Sequence, residues 1–402
     1  MKEKAQGMDS GQYIRVGTTL YKVVRRPLLS GDFVEERRPW NYETFRQDHG
    51  KDELAAIQKY DGFCSVPDHI DYRPSIGNFL NQYEPVPYHP HEGKCPTVLS
   101  FLAHIFEEQI EMGLDYIQLL YRQPLMRLPI LLLVSNERNT GKSTFLNFLK
   151  AIFAGNMTFN TNEDFRSQFN ADWANKLIVA VDEVLLDRRE DSERIKNLST
   201  ALSYKAEAKG KDRNEVEFFA KFILCSNNED CPVIIEPAET RYWVRKVRPL
   251  EKEINQMLSL LKAEIPQFLY FLMQRQMSTR HETRMWFRHD LLETDALKRI
   301  RQYNRGRVEL EMIQMITDIM YLKELEQFSF CVGDMVTMLN NRSVKCEPSM
   351  VRQILQGRWN LSPSPDPIHS TTYSMDINGD VVEAYKTGRF YRITRSRLKE
   401  MM

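Results

Sequence analysis

The chain has 402 residues, 42% of them hydrophobic and 27% charged, with Lys plus Arg and Asp plus Glu balanced at 55 each. That composition excludes a disordered chain and a globally basic nucleic-acid binder, so any contact with a polyanion must come from a local patch. No apolar run approaches the length of a membrane span, the polar start MKEKAQGMDSGQ lacks a signal-peptide core, and the six cysteines form no CxxC pair. These features point to an intracellular protein of two or three domains, with reduced thiols.

Residues 13–25 (YIRVGTTLYKVVR) alternate apolar and polar around a glycine and predict a small β-hairpin. Residues 37–95, rich in aromatics, Pro and His, read as irregular or mixed. Residues 97–121 carry apolar side chains at helical spacing, with Gly113 as a break and Pro124 closing the segment. Residues 128–250 then alternate strand and helix, with strands at 129–135, 176–183 and 220–227. A helix weakened by Pro266 follows over 252–277. After a basic stretch, residues 308–402 form a separate unit of helices and then a hairpin with a Gly-Asp turn, similar in order to a winged helix. The expected division is an accessory segment at 1–95, a helical collar at 96–127, an α/β P-loop core at 128–277, and a basic linker with a winged-helix-like domain at 278–402.

The strongest local signal is Ser135-Asn136-Glu137-Arg138-Asn139-Thr140-Gly141-Lys142-Ser143-Thr144, between an apolar strand and the amphipathic stretch FLNFLKAIF. A phosphate-binding loop needs that context, because backbone N–H groups at a helix N-terminus favour anions. Asn136, Asn139, Thr140, Gly141, Lys142, Ser143 and Thr144 form the candidate ATP cradle. Lys142 would reach the β- and γ-phosphates, and the Ser143 hydroxyl would ligate Mg²⁺. Asn136 stands where the usual pattern has Gly, and Asn tolerates unusual backbone angles.

The run from Lys176 ends in Asp182-Glu183, some forty residues on. A buried strand delivering two carboxylates at its C-terminal end suits a Mg²⁺ site at Asp182 and water polarisation by Glu183. The next apolar strand ends in Cys225-Ser226-Asn227-Asn228, where Asn227, with Asn228 as the alternate, would orient water beside the γ-phosphate. Between these strands Lys205, Lys209, Lys211 and Arg213 cluster around Gly210, as either a loop for sequence-independent phosphate contacts or a solvated turn.

In this order these features resemble the superfamily three helicases, a branch of the AAA+ ATPases, and more closely the primase-associated helicases of phages and bacterial mobile elements. GTTLYKVVRRPLLSGD and IQKYDGFCSVPDHIDY support the closer likeness, which covers most of residues 13–275. The resemblance implies a Mg-ATP-driven DNA helicase working as a homo-oligomer, a hexameric ring in that family, in the cytoplasm of a bacterial host. It also implies that the Lys hairpin touches single-stranded or forked DNA. An Arg from one subunit would reach the ATP of the next; Arg241 and then Arg245, in ETRYWVRKV, match that segment. No primase domain is evident in these residues; one that belongs to the system would sit on another chain or would have been removed. Two other classes stay open: an ATP-switched initiator or loader without processive unwinding, and a P-loop ATPase that is not a motor.

His89, His91 and Cys95, with His69 upstream, lack a convincing fourth ligand and read as a solvated loop rather than a metal site. Tyr60, Phe63, Tyr72, Phe79 and Tyr83 read as core rather than base-stacking residues. The basic stretch Arg284, Arg288, Lys298, Arg299, Arg301, Arg305 and Arg307 could track a phosphate backbone or form a solvated face.

Overall fold

A computed structural model describes residues 12–27, 33–167, 173–186, 189–206, 214–236, 239–251, 256–304, 306–342, 344, 346–376 and 380–401. The N-terminal alternation folds as strands β1 (Tyr13–Val16) and β2 (Thr19–Pro27), joined by a two-residue turn in which Gly17 takes φ 57°. That left-handed angle is open to glycine at no steric cost. β3 (Phe33–Trp40) and β4 (Gln58–Tyr60) complete a sheet of order β3-β2-β1-β4. Helix α1 (Tyr42–His49), capped by the Asn41 side chain, buries Phe45 against Tyr13, Leu20 and Ile57. Short strands β5 (Gly62–Cys64), β6 (Ser75–Ile76) and β7 (Phe79–Asn81) follow, so residues 37–95 carry more regular structure than their composition suggests. Tyr83 is buried, whereas Phe79 is exposed.

Helices α2 (Pro96–Phe106) and α3 (Ile110–Arg122) lead into the central sheet. It is built from β8 (Ile130–Val134), helix α4 (Lys142–Phe153), β9 (Met157–Phe159), β10 (Ile178–Val181), helix α5 (Arg189–Thr200), the hairpin β11 (Ser203–Ala206) and β12 (Asn214–Glu217), β13 (Lys221–Ser226) and β14 (Tyr242–Lys246). All pairings in this five-stranded sheet are parallel, and its order is β14-β8-β13-β10-β9.

Parallel strands covered on both faces read as continuous apolar runs, as ILLLV and IVAV do. Successive residues point to opposite faces. Leu131, Leu133, Ala180, Ile223 and Trp243 face a core shared with α2, α3, α4 and the helices α6 (Met257–Ala263) and α7 (Ile265–Gln274). Ile130, Leu132, Val179, Leu224 and Val244 face the other, with Ile195 and Leu198 of α5. Helices α2 and α3, expected as a collar, therefore share one core with the sheet. The predicted 252–277 helix breaks at Glu264, which caps α6 and hands Pro266 to the first turn of α7, where a missing N–H costs nothing.

Beyond α7 come α8 (His289–Leu292) and α9 (Asp295–Tyr303), and Leu297 and Ile300 of α9 complete the second face of the sheet. Thus the front of the expected basic linker belongs to the α/β layer. The remaining elements are α10 (Arg307–Leu322), β15 (Gln327–Phe330), α11 (Val332–Asn341), α12 (Pro348–Gln353), the antiparallel pair β16 (Ile368–Met375) and β17 (Val381–Gly388), β18 (Tyr391–Thr394) and α13 (Arg395–Met401). They enclose a separate core around Met315, Phe328, Leu339, Leu355 and Ile393. A strand that the sequence did not mark, β15, lies between α10 and α11 and pairs with β18, and the long hairpin β16–β17 follows the helices. No helix among the described residues is long and apolar enough to cross a membrane.

Gly113 does not break a helix: α3 runs through it, and the interruption lies at the 3₁₀ turn Glu107–Gln109. The glycine makes room for Phe106, since a Cβ there would sit 2.3 Å from the ring. Phe106 in turn stacks on Trp243 at 5.2 Å between centroids. Gly113→Ala is therefore expected to destabilise by about 1–3 kcal/mol through overpacking, although Ala is the better helix former. A thermal melt that rises on this substitution would overturn the account.

Candidate functional site

Three parallel strands end on one side of the sheet, and the candidate residues sit at those ends. The loop after β8 turns into α4 through Asn139 at φ 55° and Gly141 at φ 87°. The Gly141 angle favours glycine, and a Cβ there would also press on the Phe101 ring at 3.1 Å. No side chain caps the N-terminus of α4, and its positive end faces the loop. His104 of α2 lies 3.0 Å, through Nε2, from the Thr140 carbonyl, and the Leu250 N–H donates to the Asn139 carbonyl at 2.9 Å.

Lys142 is buried and donates from Nζ to Thr140 Oγ1 at 3.1 Å. Burial pushes its pKa down, and the charges of Asp182 and Glu229 pull part of the way back. Ser143 and Asp182 are both exposed.

β13 lies between β8 and β10, so the acidic turn stands two strand spacings, about 10 Å, from the loop. Asn227, just past the intervening strand, reaches the acidic turn: its Nδ2 donates to Glu183 Oε1 at 3.2 Å. Glu183 holds φ 63°, a left-handed conformation costing on the order of 1 kcal/mol for a residue with a Cβ. Its turn is pinned from two sides. The Val184 N–H donates to the Cys225 carbonyl at 2.7 Å, and Asn162 brackets Glu183 and Leu185 through its amide. Asn228, the alternate to Asn227, closes its own turn, accepting from the Asp230 and Cys231 N–H groups at 2.9 and 3.0 Å.

Asn136 behaves differently from expectation. Its backbone is not left-handed; instead its side chain is part of a clamp. The Asn136 N–H donates to Glu229 Oε1 at 2.9 Å, and the Glu229 N–H donates to Asn136 Oδ1 at 3.0 Å. Glu229 is 3% exposed and also receives Lys246 at 3.0 Å and Arg299 at 3.3 Å. Burial pushes its carboxyl up, but these donors and charges outweigh burial and hold it below the usual range. Glu229, His104 and Asn162 stand in no motif of the sequence, and Lys246 and Arg299 stand there only as members of basic segments. They lie up to 93 residues from their partners.

The two arginine candidates have different surroundings. Arg245, the second candidate, is buried and paired with Glu108 and Glu107 of its own chain. Arg241 is partly exposed and pairs with Glu239 at 2.8 Å. Its carbonyl accepts from the Ile130 N–H at the start of β8, so it lies a full strand length, about 13 Å, from the loop of its own chain. Lys205 sits on β11 opposite Glu215, whereas Lys209, Lys211 and Arg213 lie outside the described residues. Four cations of the basic stretch pair locally, Arg288 with Asp290, Lys298 with Asp295, Arg299 with Asp230 and Arg301 with Glu293, and Arg305 lies outside the described residues.

The sequence model of a family of unknown function, DUF5906, matches residues 133–243, which span the loop, both acidic residues and Arg241. The DNA primase-polymerase of Nitratiruptor phage NrS-1 is 30% identical over 186 residues, covering 44% of this chain. The match spans 26% of that relative's length. Among solved structures, the apo NrS-1 C-terminal region (305–718) superposes with a TM-score of 0.60 at 18% identity, covering 88% of this chain and 92% of that one. A second apo form gives 0.56 at 18% identity, covering 86% and 82%. The α/β architecture is therefore shared with that region.

The His/Cys candidates do not converge on a metal. No group of three or more His, Cys, Asp or Glu side chains suited to a metal occurs among the described residues. His69 lies 2.9 Å, through Nε2, from the Tyr83 hydroxyl and stacks on Tyr121. Burial lowers its pKa to about 4. Since the folded value lies below the ordinary value of about 6.5, the unfolded chain takes up the proton first. The stability tied to neutral His69 is thus complete above pH 6.5 and is lost as pH falls toward 4. His69→Gln is expected to flatten the fall in melting temperature between pH 6.5 and 5 by the equivalent of roughly 2 kcal/mol. An unchanged pH slope would show that His69 protonates freely in the fold.

Proposed function

We propose that the chain is an ATP-driven motor of the superfamily three helicase type that acts on DNA during replication of a phage or mobile element. One observation carries the reading: a glycine-dependent loop opening α4, an acidic turn and an amide all meet at the ends of β8, β10 and β13, with Asn227 touching Glu183. The replication setting is supported by the likeness to a phage protein named a primase-polymerase.

ATP phosphates fit the loop because Lys142 and the first-turn N–H groups of α4 supply positive potential at a site no side chain caps. Mg²⁺ would be held by Ser143 and Asp182, neutralising phosphate charge when bound. Glu183 polarises the attacking water, and Asn227 fixes the orientation of that carboxylate. Asn139, Thr140 and Thr144 shape the cradle beside Lys142. Arg241 is too far from its own loop, so it acts on the ATP of a neighbouring subunit in a closed, hexameric ring. Lys205, Lys209, Lys211 and Arg213 contact the phosphates of a single or forked strand, and the unit around α10–α13 is the winged-helix-like domain.

The test is ATP hydrolysis with and without single-stranded DNA. Lys142→Ala is expected to lose two orders of magnitude or more, at roughly the size of a lost transition-state donor. Lys209→Ala with Lys211→Ala should lose the DNA stimulation alone. Mixing Lys142→Ala with Arg241→Ala subunits should restore activity at some interfaces. Hydrolysis indifferent to DNA and to the hairpin would move the reading to a nucleotide switch, and no recovery on mixing would argue against a shared site.

A further inference from the structure

The first residue of the phosphate loop and the second residue beyond Asn227 hold each other by two hydrogen bonds, Asn136 N–H to Glu229 Oε1 at 2.9 Å and Glu229 N–H to Asn136 Oδ1 at 3.0 Å. We propose that Glu229 is a positioning residue, which fixes the phosphate loop to the end of β13 in a nucleotide-ready form; this rests on the nucleotide reading above.

The physical case has two parts. The Asn136 N–H would otherwise be an unpaired donor at the mouth of a buried strand, free to re-aim the loop. A charged acceptor is the stronger way to hold it, and the return bond from the Glu229 N–H to the Asn136 amide fixes both partners. This explains why Asn stands where a loop of this kind usually has Gly: the side chain is needed for the clamp, not for an unusual backbone angle.

The second part is charge. A carboxylate beside a triphosphate repels it, more strongly where water is excluded. The other oxygen of Glu229 faces Lys246 at 3.0 Å and Arg299 at 3.3 Å, and the Arg299 Nε reaches Asp230 at 2.7 Å. The two cations let a carboxylate hold the loop without repelling the ligand. Loop geometry is thereby tied to the end of β14 and to α9, elements that the nucleotide itself need not touch.

The test is calorimetric titration of the full chain with ADP and Mg²⁺. Glu229→Ala is expected to weaken binding about tenfold, and Glu229→Gln, which keeps an acceptor for Asn136, by about threefold or less. Arg299→Met should weaken it severalfold by leaving the carboxylate undercompensated. Adding Glu229→Gln to Arg299→Met should bring affinity back toward that of Glu229→Gln alone. That recovery is a signature a merely structural role would not give, and it stands even if Glu229→Ala fails to fold. The proposal is overturned if a folded Glu229→Ala binds like the wild type, or if the double variant binds more weakly than Arg299→Met. Lys142→Ala separates the two ideas: wild-type binding by that variant defeats the nucleotide reading itself, whatever Glu229 does.

Discussion

The placement of β13 between β8 and β10 is the constraint on which the rest depends. Parallel strands all end on the same side, so three segments far apart in sequence deliver a loop, an amide and two carboxylates to one edge. Had β10 paired directly with β8, the acidic turn would stand one strand spacing, about 5 Å, from the loop, leaving no place between for Asn227. The order is secured by burial. Alternate residues of β8 face two different cores, and a slip of one residue would exchange them.

Charge in this molecule is organised locally and not by an overall field. Equal numbers of acids and bases leave no net charge, and the pairs decide which cations stay near home. Arg245 is committed to Glu108, Arg275 to buried Asp115, and Arg299 and Lys246 to Glu229. A buried pair adds little net stability beyond that of a well-packed apolar pair, but breaking one leaves a charge stranded, so such pairs fix geometry more than they add stability. Exposed cations are also paired nearby: Arg288, Lys298, Arg299 and Arg301 each face an acid of the same chain.

Two of the seven non-glycine residues with positive φ among the described residues lie at the candidate site. Asn139 and Glu183 occupy left-handed backbone, and each is held by distant partners, Leu250 for the first and Asn162 with its own turn for the second. The far-apart origin of these restraints means that the loop and the acidic turn are rigid only in the assembled sheet. The unit around α10–α13 has its own apolar core and shares none of these restraints.

The sequence by itself marked the three strands whose ends carry the candidate residues. Apolar runs ending in turn residues marked β8, β10 and β13, and the loop before Lys142 was legible because its chemistry is contiguous. It did not reveal that Gly113 makes room for Phe106, that α2 and α3 share the core of the sheet, or that Arg245 is locked in its own chain. Nor could it single out Glu229, whose partner Asn136 lies 93 residues away. Strand order decided those questions, and strand order follows from which apolar faces bury together. Such burial is non-directional and acts between residues far apart in the chain, so it leaves no local mark on the sequence.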